Sequence, residues 1–116
     1  TTFSIRKAQP QHWYSLAIGS SDCHIDLTVN KNGEVACSLW IENNKSLYNK
    51  FFEHKNEIET DLGYSVKWDY KEGSKASSVD IRSNFRLDLK NSDLSKGYEW
   101  LLNKAEDFKR VFRKYL

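Results

Sequence analysis

The chain has 116 residues, enough for one domain with one hydrophobic core. Apolar residues make up 39% and charged residues 29%, which excludes a disordered chain, and no apolar run nears the ~20 residues of a membrane helix. A net charge of +2 does not by itself mark a nucleic-acid binder, and there is no signal-peptide pattern, so a cytoplasmic protein is expected.

Residues 1–11 hold the single proline, Pro10, and little periodicity, and read as an arm or linker; residues 12–116 read as one domain. With no Met and a start at Thr1, the chain is expected to be a fragment of a longer protein. The first strand is predicted at 13–18 and the second at 23–30, where Cys23, Ile25, Leu27 and Val29 alternate with His24, Asp26 and Thr28. Lys31-Asn32-Gly33 turns the chain into a third strand at 34–41. Matching the apolar faces requires a three-residue loop with Gly33 left-handed, because a two-residue loop would bury Ser38 and expose Leu39. That register sets Leu27 against Cys37, Ile25 against Leu39 and, across the first turn, Ile18 against Cys23.

A helix is predicted over 45–62, capped by Asn43 or Asn44, with Leu47, Tyr48, Phe51, Phe52, Ile58 and Leu62 on one face and Gly63 ending it. Strand four follows at 64–71, with Val66, Trp68 and Tyr70 inward, then strand five at 76–83, with Lys67 facing Asp80. Residues 84–91 are ambiguous, since Phe85, Leu87 and Leu89 alternate like a short strand. Ser92 or Ser95 caps a last helix reaching about residue 114, with Tyr98, Leu101, Leu102, Ala105, Phe108, Val111, Phe112 and Tyr115 as its apolar arc. The expected fold is α+β, order β-β-β-α-β-β-α, a mainly antiparallel sheet with helices packed on it.

The stretches "PQHWYSLAIG", "LWI", "EIETDLGYSVKWDY" and "YEWLLNKAEDFKRVF", with Trp13, Gly19, Trp68, Trp100 and Phe112, resemble the prokaryotic domain-of-unknown-function family 4268 from about residue 10 to 112. These are packing motifs. The resemblance implies a domain at the C-terminal end of longer proteins, some with a nuclease-like domain upstream, and so a DNA-related setting. It also implies further helix before the region shown, and offers no catalytic residue to carry over.

Several residue sets invite chemistry. Cys23 and Cys37 sit four residues apart along the sheet, ~13 Å, beyond disulfide reach, and are expected to be reduced and buried. Without a Cys-x-x-Cys pair, and with His24 on the opposite face, no metal or other cofactor is expected. Ser15, His24 and Asp26 suggest a hydrolytic triad, but the register puts Ser15 against Asp26, the acid, and a triad needs the base beside the nucleophile. Glu53-His54-Lys55, Asp69-Tyr70-Lys71, Asp88-Leu89-Lys90 and Asp107-Phe108-Lys109 match an acid-x-Lys nuclease pattern, of which chance supplies about two at this composition.

Two surfaces remain. The outer face of the first three strands reads Trp13–Thr28–Ala36, Ser15–Asp26–Ser38 and Ala17–His24–Trp40. Small residues flanked by indoles suggest close approach by another body, so Trp13, Ser15, His24, Asp26, Ser38 and Trp40 form the candidate binding face. Its cover is expected to be protein: an absent upstream element, a second subunit or the last helix of this chain, with stacked bases as the alternative. Lys104, Lys109, Arg110, Arg113 and Lys114 make a basic end to the last helix, suited to dipole compensation or, with Arg6 and Lys7, to phosphate contact. The expected function is a non-catalytic accessory or interaction module of a larger, nuclease-associated protein. Its partner would be the upstream domain or a second subunit, with nucleic acid further back and no membrane. The alternative is a metal-dependent nuclease using Asp69 and Lys71, or a single-stranded nucleic-acid binding domain.

Overall fold

Alternation of apolar and polar residues carries the first half of the chain into an antiparallel meander. In the computed structural model, which describes residues 13–30, 32–88 and 95–116 with side chains from Ser15 onward, β1 spans Trp13–Ala17, β2 Cys23–Val29 and β3 Glu34–Ile41. The register is the one the apolar faces require: Leu27 pairs with Cys37, Ile25 with Leu39 and Cys23 with Ile41. Gly33 adopts φ 83°, and its N–H donates to the Asn30 carbonyl at 3.0 Å, closing the three-residue loop. Asn30 Oδ1 accepts the N–H groups of Asn32 and Glu34, so the turn is held by its first residue. After the helices, β4 (Lys67–Asp69) and β5 (Ser77–Arg86) complete a five-stranded antiparallel sheet in the order β1-β2-β3-β5-β4.

The helices α1 (Lys45–Glu53), α2 (Lys55–Leu62) and α3 (Ser95–Phe112) cover the face carrying Ile25, Leu27, Cys37, Leu39 and Val79. Phe51, Phe108 and Phe112 are fully buried there, with ring centroids 5.1 Å apart for Phe51–Phe112 and 5.3 Å for Phe108–Phe112. Each such ring stabilises the fold by about 3–5 kcal/mol relative to alanine. Asn44 caps α1 by accepting the Leu47 N–H at 2.9 Å, and Gly63 ends α2 with φ 87°.

Four expectations are corrected. The predicted helix over 45–62 is two helices hinged at His54, which leaves α1 against β3 and β5 and lets α2 pack on α3. The run Glu53–Glu57 carries no aliphatic side chain, and at the hinge itself the His54 ring packs on Tyr115, 4.7 Å between centroids. Phe52, expected inward, is 48% exposed and stacks at 6.0 Å on Tyr48. Strand four shrinks to three residues. The Glu59 carboxylate accepts the Val66 N–H at 3.0 Å, removing a donor from the ladder, and Lys71 turns the chain away with φ 57°. Tyr70, expected inward, is therefore exposed. Part of the ambiguous stretch lengthens β5 to Arg86, and Leu87 N–H donates to the Gly33 carbonyl at 2.8 Å. Residues 1–12 and 89–94, hence the arm, Ser92 and Lys90, lie outside the described residues. Among the described residues no helix is long and apolar enough to cross a membrane.

Candidate functional site

With the helices on one face, the even-numbered residues of β2, β3 and β5 stand on the other. Backbone pairing aligns them in rungs across all five strands: Ala17–His24–Trp40–Ser78–Asp69, and Ser15–Asp26–Ser38–Asp80–Lys67. A shorter rung runs Trp13–Thr28–Ala36–Arg82. The rungs derived for the first three strands are therefore present, and β5 and β4 extend the same face. One proposed cover is excluded: the last helix, α3, packs on the opposite side of the sheet. The side chain of Trp13 lies outside the described residues.

The polar centre of the face is hydrogen-bonded. Ser15 Oγ donates to Asp26 Oδ1 at 2.8 Å, and His24 Nε2 lies 3.0 Å from the same oxygen. The carboxylate thus stands between the hydroxyl and the imidazole. That is the order the register implied, and it pairs Ser15 with the carboxylate and not with the imidazole that a triad sets beside its nucleophile. Asp26 is 13% exposed and His24 28%, and Trp40 is half-buried beside them. Ser15, His24, Asp26, Trp40 and Glu42 line a concavity of about 380 Å³. Glu42 lies one residue past the predicted third strand. Its N–H donates to the Asp22 carbonyl at 2.7 Å, which carries the ladder one step past β3, and the strand's own alternation then puts Glu42 on the outer face. On the β4 side, Lys71 Nζ lies 5.3 Å from the centre of the Trp40 ring and 3.0 Å from Asp69 Oδ2.

The remaining candidates sort themselves by their partners. Hydrogen bonding to Lys71 holds the Asp69 carboxyl below its ordinary range, so the acid-x-Lys pair on β4 is an internal ion pair. Asp80, one strand over, accepts from Ser78 Oγ at 3.1 Å. Among the described residues no three His, Cys, Asp or Glu side chains are grouped to hold a metal ion. Both cysteines are free and buried, and burial pushes the Cys37 thiol well up and the Cys23 thiol up. At the basic end of α3, Arg110 and Lys114 both bind Asp61 of α2, at 2.9 and 2.6 Å. Lys104 lies over the Tyr64 ring at 3.8 Å, Lys109 is half-buried, and Arg113 is exposed. Burial, then the neighbouring Asp107 carboxylate that accepts its hydrogen bond at 3.0 Å, raises the Tyr64 hydroxyl far above its ordinary range.

These features define an α+β domain in which helices close one face of an antiparallel sheet and a polar, indole-edged concavity occupies the other. Its sequence matches, over residues 1–116, the family described as "Domain of unknown function (DUF4268)", and the chain belongs to that family. No curated protein and no solved structure matches the chain.

Proposed function

We propose that this domain is a non-catalytic accessory module that docks another protein element on the outer face of its sheet, within a larger nuclease-associated protein. One observation carries the reading. The face opposite the helices holds the small residues Ser15, Ala17 and Ser38, beside a half-buried Trp40 and a concavity. Ser15 and Ala17 stand on the edge strand β1 and Ser38 on the central strand β3, so small residues let a backbone approach from the sheet edge inward, and burying the indole gains about 25 cal/mol per Å² of apolar area. Asp26 already holds Ser15 and His24 as partners, so its burial under a partner leaves Oδ1 satisfied.

The nucleic-acid alternative is weaker at this face, because the described residues lining the concavity include two carboxylates and no lysine or arginine. It is weaker at α3 as well, where Asp61 offsets Arg110 and Lys114. The test is a pair of assays on the full chain: single-stranded DNA titration followed by tryptophan fluorescence at two salt concentrations, and incubation of plasmid DNA with magnesium or manganese. A docking module shows neither quenching nor cleavage. Salt-dependent quenching, or metal-dependent cleavage abolished by Asp69→Ala, overturns the proposal in favour of a nucleic-acid function.

A further inference from the structure

We infer that Lys45, at the start of α1 on the helix side of the sheet, positions the Lys71–Trp40 wall of the outer face, a role that rests on the docking reading above. Lys45 Nζ donates to three backbone carbonyls of the β4–β5 turn, those of Tyr70, Lys71 and Ala76, the last two at 3.4 and 2.6 Å. An ammonium has three donors and no acceptor, so one lysine can gather three carbonyls around one point. Its Nζ also stands 4.1 Å from the centre of the Tyr70 ring, and that ring meets Tyr48 of α1 edge-on at 5.4 Å. The turn is thereby fastened to the first turn of α1.

What the clamp holds is strained. Among the described residues two that are not glycine have positive φ, Asn43 at 34° and Lys71 at 57°. They lie on either side of the Lys45 contact, Asn43 just before α1 and Lys71 in the turn. Such backbone persists where the surrounding contacts over-determine it, and it collects at functional sites. Lys71 is held in this way. Its N–H donates to Asp69 Oδ1 at 3.2 Å, and its carbonyl accepts both the Ser74 N–H, at 2.9 Å, and Lys45 Nζ. From this backbone the Lys71 side chain reaches the outer face, with Nζ 3.0 Å from Asp69 Oδ2 and 5.3 Å from the centre of the Trp40 ring. The residue before Lys45 fixes the other flank. Asn44 Nδ2 donates to Asp22 Oδ2 at 3.1 Å, and the Asp22 carbonyl accepts the Glu42 N–H at 2.7 Å. The start of α1 therefore grips both turns that border the Trp40–Glu42 stretch, and the surface that a docked partner meets there is set from the helix side.

The test uses the full ¹⁵N-labelled chain. Its readout is the Trp40 indole N–H resonance, assigned through Trp40→Phe, and the Trp100 indole resonance on α3 gauges an intact core. Lys45→Met keeps the reach of the side chain and removes its donors. It should shift the Trp40 resonance and leave Trp100 in place. Lys55→Met, which removes the same charge at the start of α2, should leave both in place. The effect should pass through Lys71, so adding Lys45→Met to Lys71→Met should move the Trp40 resonance no further. On the unaltered chain the Lys45 ammonium protons should exchange with water more slowly than those of the exposed Lys75. A Trp40 resonance that Lys45→Met leaves in place overturns the inference, as does an equal shift in the Lys71→Met background. Lys45 ammonium protons that exchange as fast as those of Lys75 overturn it too, whether or not the variants fold. Photocrosslinking from Ala17 reports separately on docking, so a wall positioned by Lys45 on a face that docks nothing is distinguishable from a face that docks without this clamp.

Discussion

Replacing Gly33 by alanine isolates the turn on which the register of the sheet depends. Gly33 has φ 83°, a conformation that costs an L-residue about 1–2 kcal/mol. A Cβ at this position would stand 2.1 Å from the Leu87 carbonyl oxygen and 2.9 Å from the Leu87 nitrogen, both backbone atoms. Neither can move without straining the 2.8 Å bond from Leu87 N–H to the Gly33 carbonyl. Loss of that bond adds about 1 kcal/mol, and the forced backbone shift about 1 kcal/mol more. Gly73 is the control: its φ is 82°, and a Cβ there meets nothing within 4 Å. Any gain from a stiffer unfolded chain is common to both substitutions. Urea unfolding followed by circular dichroism should therefore give Gly33→Ala a loss of about 3–4 kcal/mol and Gly73→Ala about 1–2 kcal/mol. Equal losses, within about 0.5 kcal/mol, would refute the contact between the β2–β3 turn and the segment following β5.

Three further outcomes follow from the core and its charges. Phe112→Ala should cost about 3–5 kcal/mol in the same assay and Phe52→Ala much less, because the first ring is fully buried and the second 48% exposed. Cys37, buried with its thiol pushed well up, should react with a thiol reagent no faster than the chain unfolds, and the mass of the non-reduced protein should show no disulfide. Hydrogen bonds from Lys114 and then Arg110 hold the Asp61 carboxyl below its ordinary value of 3.8. Its contribution to stability is therefore present above that value and is lost as the pH falls through the lower, folded-state value. Asp61→Asn should lower stability at neutral pH, and the difference from the unaltered chain should vanish in acid and shrink in about 1 M salt.

What the sequence made legible follows the range of the forces involved. The β1–β2–β3 register and the Gly33 loop follow from the parity of strict alternation, while residue type alone marks the Gly63 stop and narrows the cap to Asn43 or Asn44, of which Asn44 is the one that caps. The hinge at His54 had no proline or glycine to announce it; it exists because α1 and α2 pack against different partners. The shortening of β4 comes from Glu59, a side chain on α2 that captures a strand N–H, and no local pattern encodes that capture. The site divides in the same way. Ser15, His24, Asp26, Ser38 and Trp40 were legible as one face. Glu42 follows from continuing the alternation one residue past the strand. The reach of Lys71 to Trp40 needed the β4–β5 turn in three dimensions. The partners of the basic residues on α3 were hidden for the same reason, since Asp61 lies far away in sequence.

The central claim is that another protein element lies on the outer face of the sheet. Its most direct test places a photo-activated crosslinking residue at position 17, where Ala17 is exposed beside the concavity, in the full-length gene product expressed in its own host. Mass spectrometry of the irradiated protein identifies what is attached. The account predicts a crosslink to a defined peptide, from elsewhere in the same protein or from a second copy, that is lost when Trp40 is replaced by alanine. A crosslink to nucleic acid, or none at Ala17 when the same residue placed on the α3 surface behaves identically, would contradict it.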